Sequence, residues 1–137
     1  MSPPERLCGF LFLLLAGCAG PLPAADPGQA WIDLTHLEPT DNLLAERLDG
    51  QWLDDGRYFQ VQPGAHRLEV RFTFKPSGSS WGPYNQQECL LDIRYAGFRA
   101  GLHYRINAFT MGFTPHVVLQ DDRQQDLAEA RLVFCWL

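Results

Sequence analysis

The chain has 137 residues and a formal net charge of −5, so a single domain is expected. Lys75 is the only lysine and no basic cluster occurs, which argues against nucleic acid as a partner. Aromatic residues make up 12% of the chain, and glycine and proline are frequent. This balance favours strands and turns over helices.

The first residues have the organisation of an export signal. A short segment with one basic side chain, Arg6, precedes an apolar run over residues 7–16. At ~1.5 Å per residue this run crosses only about half of a bilayer core, so it is too short for an ordinary membrane-spanning helix. Its length is typical of a signal peptide.

The apolar run ends in Leu15-Ala16-Gly17-Cys18, which resembles the lipobox of bacterial lipoproteins. The resemblance implies cleavage after Gly17 and a diacylglyceryl thioether on Cys18, so that a covalent lipid holds the protein at a membrane. The chemistry needs a thiol for the lipid, and the peptidase needs small residues before it. An ordinary secretory signal that ends in a cysteine is the alternative interpretation.

Ala19 and Gly20 follow Cys18, with no aspartate next to it. By resemblance to the sorting rule of enteric lipoproteins, this predicts the periplasmic face of the outer membrane. Residues 18–30 are rich in proline and glycine without a periodic pattern, which predicts a flexible tether that lets the domain stand off the lipid surface. The predicted organisation is a signal peptide over 1–17, a lipidated tether over 18–30 and one domain over 31–137.

The domain begins with short segments of strand character. Residues 31–35 form the first predicted strand, and residues 43–48 are a helical turn or a strand. Asp49-Gly50 is a strong hairpin signal, and the apolar pattern that resumes at 51–53 favours a hairpin here. The next strand covers residues 57–62.

The clearest strand follows the turn at Pro63-Gly64 and covers residues 66–75. Its side chains alternate strictly between apolar and polar, which is the mark of a strand with one buried face. A shift of one residue would bury the whole polar set, so the register is firmly specified. The apolar side chains, expected in the core, are Leu68, Val70, Phe72 and Phe74.

The remaining strands are shorter and are separated by turns. They are predicted at residues 88–95, 102–110, 116–120 and 128–136, with breaks at 97–101, 112–115 and 121–126. The chain then has seven or eight short strands, with a turn about every eight to twelve residues. This pattern predicts an all-β fold, a small antiparallel β-sandwich.

Asp49-Gly50 and residues 61–70 resemble the PEGA-like module of bacterial envelope proteins, in which a strand passes through a Pro-Gly turn into an alternating strand. The resemblance implies a non-catalytic accessory domain with a small sandwich fold, and it assigns no functional residue. The rest of the chain is more similar to small uncharacterised lipoproteins of proteobacteria than to proteins with a known activity.

The four cysteines have separate expected fates. Cys8 leaves with the signal peptide and Cys18 carries the lipid, so Cys89 and Cys135 remain in an oxidising compartment. They are predicted to form a disulfide between the strand at 88–95 and the last strand. No Cys-x-x-Cys motif is present, which indicates a structural bond and not redox chemistry.

No catalytic or metal-binding pattern emerges from the other polar residues. The histidines are isolated in sequence, the serines at 77–80 lack a Gly-x-Ser-x-Gly motif, and the paired aspartates lie in polar turns. The prediction is a non-enzymatic protein without a metal and with no cofactor beyond the lipid on Cys18; a hydrolase is less favoured. The histidines are His36, His66, His103 and His116.

The loop over 77–85 places Trp81 and Tyr84 on either side of Gly82-Pro83. Exposed aromatic side chains on a loop suit contact with protein or glycan, although they can also fold back over the end of the sandwich. The main hypothesis is a structural or assembly partner of another envelope protein. The second is a module for cell-wall glycan or another ligand that uses Trp81, Tyr84 and Trp52.

Overall fold

The computed structural model describes residues 20–76 and 86–136. Within these ranges the chain forms ten strands, and no helix long and apolar enough to cross a membrane is found there. The strands are β1 (Ala30–His36), β2 (Asn42–Leu48), β3 (Gln51–Trp52), β4 (Tyr58–Val61), β5 (Gly64–Phe74), β6 (Gln87–Phe98), β7 (His103–Met111), β8 (Thr114–Gln120), β9 (Asp126–Glu129) and β10 (Arg131–Trp136). They make two five-stranded sheets, which confirms the all-β sandwich with more strands than the seven or eight expected.

The first sheet has the strand order β4-β1-β7-β8-β9. β1 lies inside this sheet, where it pairs antiparallel with β4 and parallel with β7. The parallel pairing places Trp31 opposite His103. This parallel pair departs from the antiparallel arrangement predicted from the sequence. A parallel pair needs a long connection between its strands, and β1 and β7 are far enough apart in the chain to allow one.

The second sheet has the order β10-β6-β5-β2-β3, and the pairs among these described strands are antiparallel. β5 and β6 form its centre. The hairpin between β2 and β3 is confirmed at Asp49-Gly50, where both residues have a positive φ, of 51° and 81°. A type I′ turn requires positive φ at both positions, and Asp-Gly meets this requirement at little cost.

The core lies between the two sheets. The apolar side chains of β5 are fully buried, as the alternation predicted, and each contributes about 1.5–3 kcal/mol by burial. They meet residues of the first sheet that also leave almost no surface to water. The largest of these core side chains are Phe72, Phe74, Leu68, Phe59, Ile32, Ile106 and Leu119.

The last predicted strand, over residues 128–136, is wrong as a single element. β9 belongs to the first sheet and β10 to the second, so the chain changes sheets at Ala130. The Ala130 amide donates a hydrogen bond to the Val117 carbonyl at 2.8 Å. No glycine or proline marks this crossing in the sequence, which is why the apolar pattern looked continuous. Smaller differences are that β6 extends to Phe98 and that β8 begins at Thr114.

The predicted disulfide is present between Cys89 and Cys135, with an S–S distance of 2.05 Å. The two residues lie opposite each other on β6 and β10. The bond therefore fastens β10, at the edge of the second sheet, to a strand inside it. Cys89 is fully buried on the core side.

The segment over residues 20–29 runs outside the two sheets and is mostly exposed. It nevertheless makes two hydrogen bonds to the region around β4. Arg57 Nη1 donates to the Gly20 carbonyl at 2.8 Å, and the Asp26 amide donates to Gln60 Oε1 at 2.9 Å. Ala30, the last residue of the predicted tether, is already the first residue of β1 and is buried.

Candidate functional site

The outer face of the second sheet carries a row of charged residues. Arg47, Glu69, Asp92 and Arg131 lie directly opposite one another on β2, β5, β6 and β10. We call these four residues the charged row. Trp52 on β3 continues it at one end, opposite Arg47. The register of five strands thus brings residues from distant parts of the sequence to one level of the sheet.

The two acids at the centre of the charged row are buried. Glu69 is 1% exposed and Asp92 is 2% exposed. Like charges on directly opposite residues of neighbouring strands repel each other. A carboxylate withdrawn from water is also costly unless a cation and hydrogen-bond donors compensate it. The arrangement therefore depends on the cations around these two acids.

Arg47 and Arg67 are the arginines that hold Glu69. Arg47 Nε lies 2.6 Å from Glu69 Oε2. Arg67 bridges the two acids, with Nη2 2.8 Å from Glu69 Oε1 and Nε 3.1 Å from Asp92 Oδ2. One guanidinium group therefore offsets the repulsion between both carboxylates.

Arg94 and Arg131 also approach Asp92. Their Nε atoms lie 3.6 Å and 3.5 Å from the carboxylate oxygens of Asp92. Both side chains are more than half exposed. In both cases Nε makes the closest contact to Asp92. Since so much of each side chain is exposed, a ligand can reach both guanidinium groups, which carry N–H donors only.

Arg71 forms a second cluster beside the charged row. Its Nη2 lies 2.5 Å from Glu46 Oε1, and its Nη1 lies 2.8 Å from Glu88 Oε1. The hydrogen bond to Glu46, and then the one to Glu88, raise the pKa of Arg71 above its ordinary value. Its guanidinium carbon also lies 4.4 Å from the ring centroid of Trp136. These contacts fix the Arg71 side chain on three sides.

Aromatic side chains border the arginines at both edges of the sheet. Trp52 is 68% exposed, and the guanidinium carbon of Arg47 lies 4.9 Å from its ring centroid. At the opposite edge, the rings of Phe134 and Trp136 have centroids 4.2 Å apart. We call this whole surface the arginine face; its arginines and tryptophans are Arg47, Arg67, Arg71, Arg94, Arg131, Trp52 and Trp136.

The arginine face differs in charge from the rest of the protein. Its five guanidinium groups stand against four carboxylates, so it carries one net positive charge while the whole chain carries −5. Arginine and tryptophan, with little lysine, are also the composition found at the centre of protein interfaces. The face therefore has the chemistry of a binding surface for a partner with negative charge.

An open groove of about 540 Å³ adjoins this face, lined in part by His66, Asp49 and Tyr95. His66 Nδ1 lies 2.6 Å from Asp49 Oδ2, and His66 Nε2 lies 2.6 Å from the Gln62 carbonyl oxygen. Both ring nitrogens are thus engaged with acceptors of the protein itself. In this arrangement His66 fastens the β2–β3 hairpin to the start of β5, and neither nitrogen faces the groove as a free base.

The other histidines lie in separate places. His36 Nδ1 lies 2.8 Å from the Glu38 carbonyl oxygen, and His116 stacks on Phe109 with ring centroids 5.3 Å apart. Over residues 20–76 and 86–136, no three His, Cys, Asp or Glu side chains come together as a group that could hold a metal ion. The expectation of a protein without metal or cofactor stays a prediction.

The structure describes only part of the site predicted from the sequence. Cys18, Trp81 and Tyr84 lie outside the described residues, so lipidation and the aromatic loop stay predictions. Trp52 is exposed and belongs to the arginine face. The charged row was missed, because the polar side chains of β5 were expected to face water. The available signal was the pair of acids, Glu69 and Asp92, at outward positions of two strands with arginine neighbours.

Comparisons of the chain with protein-family models, with curated proteins and with solved structures found no match. The lipobox and the PEGA-like module therefore remain resemblances of the sequence. A function has to be inferred from the geometry of the described residues and from the predicted anchor.

Proposed function

We propose that the protein is a lipid-anchored, non-enzymatic lipoprotein at the periplasmic face of the outer membrane, where it binds another envelope protein through its arginine face. The observation that carries this proposal is the set of guanidinium groups held around buried Glu69 and Asp92. Side chains that are already ordered lose little conformational entropy when a partner binds.

The chemistry of the arginine face favours an acidic protein segment as the partner. The side chains of Arg94 and Arg131 are more than half exposed, which suits bidentate contacts of their guanidinium groups to Asp or Glu carboxylates. Phe134 and Trp136 supply an adjoining aromatic surface that an aliphatic or aromatic side chain of the partner can cover. A partner with both features would gain specificity from the charges and affinity from the apolar contact.

The predicted lipid on Cys18 supports the envelope location. An anchored domain and a partner at the same membrane meet at high effective concentration, so a single face of moderate size is sufficient for binding. One ring nitrogen of His66 contacts Asp49 in the β2–β3 hairpin and the other contacts the Gln62 carbonyl, as expected of a structural residue beside a binding surface.

Site-specific photo-crosslinking in cells that make the protein tests this proposal. A crosslinker at Phe134, on the arginine face, should capture one protein of defined mass. A crosslinker at Met111, on the first sheet, serves as the control, because it is at least as exposed but lies away from that face. Capture that is equal at both positions, or capture that persists in the Arg131→Glu variant, would contradict the proposal.

Glycan binding is the second candidate function, and one observation favours it. Trp52 lines a groove of about 270 Å³ together with Leu44, Leu53 and Arg71. An exposed tryptophan ring beside a fixed guanidinium group can stack on a sugar and donate to its hydroxyl groups. Binding to purified peptidoglycan should then fall in Trp52→Ala and persist in Phe113→Ala, which changes an equally exposed aromatic residue elsewhere.

A further inference from the structure

The contact between Arg57 and Gly20 restricts where the domain can sit. Arg57 Nη1 donates to the Gly20 carbonyl at 2.8 Å. The other donors of the same guanidinium group hold Asp55, with Nε 2.9 Å from Oδ1 and Nη2 2.8 Å from Oδ2. The Asp55 carboxylate therefore orients Arg57, and Arg57 in turn holds the chain at Gly20 beside the start of β4.

Gly20 lies only two residues after Cys18. Two residues of fully extended chain reach at most about 7 Å. If Cys18 carries the lipid, the point where the chain leaves the membrane is that close to the Arg57 contact. Residues 21–29 come after this contact, so while it holds they add nothing to the distance between the lipid and the domain.

The surface next to the Arg57 contact is apolar and aromatic. The carbonyl of Gly56, the residue before Arg57, accepts a hydrogen bond from the Ala45 amide at 2.9 Å. This bond places Arg57 beside β2 and beside the groove lined by Leu44, Trp52 and Leu53. Leu44 is 40% exposed and Trp52 is 68% exposed, so this surface lies open.

From these contacts we propose that the side of the domain formed by β3, Trp52, Leu44 and Arg57 rests on the lipid surface that holds the anchor, with the Trp52 ring at the headgroup level. The proposal rests on the lipidation of Cys18, which is part of the proposed function. A tryptophan suits this position because one part of its ring is apolar while its N–H can bind water or headgroups. The anchor makes even a weak contact of this kind persistent.

The charges near Trp52 indicate what kind of lipid surface fits. Arg57 is paired with Asp55, and Arg47 is paired with Glu69. Asp54 is exposed beside them. Since the described residues on this side carry no excess of positive charge, the contact should form on zwitterionic lipid and depend little on salt.

This orientation also determines which part of the arginine face lies away from the membrane. The strands β3, β2, β5, β6 and β10 lie side by side, so Trp52 and Arg131 are separated by four strand spacings, or about 19 Å. With Trp52 at the membrane, Arg131, Phe134 and Trp136 lie at the far side of the sheet, where a partner protein has access. The two proposed contacts therefore use opposite edges of one sheet.

Fluorescence quenching by brominated lipid tests the orientation. The full lipidated protein is placed in phosphatidylcholine vesicles, once with brominated and once with ordinary acyl chains, after mass spectrometry has confirmed the lipid on Cys18. We expect Trp52→Phe to lose most of the quenching that bromine causes. Trp136→Phe, at the opposite edge, should retain it. Arg57→Ala should reduce it while the lipid remains attached, because Gly20 is no longer held.

The outcomes separate the two proposals. Lipidated protein whose quenching is unchanged by Trp52→Phe overturns the docking alone, whether Trp52 then faces water, a glycan or another protein. Protein without a lipid on Cys18 overturns the docking together with the anchor of the proposed function. Quenching that requires anionic lipid would overturn the zwitterionic contact described above.

Discussion

The two faces of β5 bury side chains in different ways. On the inner face, Phe72 and its apolar neighbours are shielded by the opposite sheet, and their contacts have no required direction. On the outer face, Glu69 is equally buried, but it depends on arginines of its own sheet that lie within ion-pair distance of its carboxylate. The inner face needs only residues of the right size, whereas the outer face needs particular partners on neighbouring strands.

The two faces also differ in purpose, because the inner face contributes stability and the outer face can also bind a partner. The apolar face is saturated by contacts within the domain, so it leaves nothing for a ligand. The outer face uses arginine side chains to compensate Glu69 and Asp92, and two of them, Arg94 and Arg131, remain more than half exposed. Substitutions on the inner face should therefore cause the larger losses of stability, whereas substitutions on the outer face should also affect binding.

The largest effect is expected on the inner face. Phe72→Ala should lower the free energy of unfolding by about 3–5 kcal/mol, because it removes a fully buried ring and leaves a cavity. Urea denaturation followed by circular dichroism measures it. Phe113→Ala, a change of an exposed phenylalanine, should leave the midpoint unchanged. Equal losses in both variants would refute the assignment of Phe72 to the core.

Removal of the disulfide between β6 and β10 should cause the next largest loss of stability. Replacing Cys89 and Cys135 together by alanine should lower stability by about 3–4 kcal/mol, because the bond closes a long loop in the unfolded chain. Denaturation with and without a reducing agent measures the effect. The wild-type protein under reducing conditions should match the double variant, and insensitivity to the reductant would contradict the prediction.

A smaller effect is expected from the outer face. Glu69→Gln keeps the shape of the side chain but removes the negative charge that both Arg47 and Arg67 contact. It should lower the free energy of unfolding by about 1–3 kcal/mol. Arg94→Ala is the matched control, because Arg94 is largely exposed and lies 3.6 Å from Asp92, so it should cost less than about 0.5 kcal/mol. Thermal unfolding compares the two. If Glu69→Gln is as stable as the wild type, repulsion from Asp92 offsets the arginine contacts and the predicted loss is wrong.

The smallest effect is expected at the hairpin beside the outer face. Burial disfavours the charged form of Asp49, but hydrogen bonds from the Arg67 amide and from His66 outweigh this and lower the pKa of Asp49. A lowered pKa in the folded state stabilises the protein above the unfolded value of about 3.9, and this stability is lost as the pH falls through the folded value.

Asp49→Asn should therefore reduce stability at neutral pH by less than about 1 kcal/mol, since the carboxylate is about half exposed. Asparagine tolerates the positive φ at this position, so the turn itself is preserved. The difference from the wild type should shrink as the pH falls below about 3.9 and vanish once the carboxyl group of the folded wild type is protonated. Denaturation curves at several pH values test this, with Asp54→Asn as the control. A difference that grows on acidification would show that the pKa of Asp49 is not lowered by folding.

The inner face could be predicted from the sequence because one strand is enough to reveal it. The alternation of Leu68, Val70, Phe72 and Phe74 with polar residues fixes both the strand and its buried side. The hairpin at Asp49-Gly50 could be predicted for a similar reason, since its backbone requirement is local. The pairing of Cys89 with Cys135 followed from the expected loss of the two other cysteines.

The outer face could not be predicted in the same way. Arg47, Glu69, Asp92 and Arg131 meet only because four strands adopt one register, and no local pattern states that register. The parallel pairing of β1 with β7 and the change of sheets at Ala130 are also long-range features. The hydrogen bond from Arg57 to Gly20 joins residues that have no sequence signal in common.

The pairing of β1 with β7 has a consequence for the order of folding. A chain that emerges with its N-terminus first offers β1 no parallel partner until β7 has followed, and the second sheet stays open until Arg131–Trp136 arrives. Contacts between such distant segments form slowly. Until then β5 presents its row of aromatic and aliphatic side chains to solvent, where it is prone to aggregate. The pairing of β1 with β7 is therefore expected to be a late step in the folding of this domain.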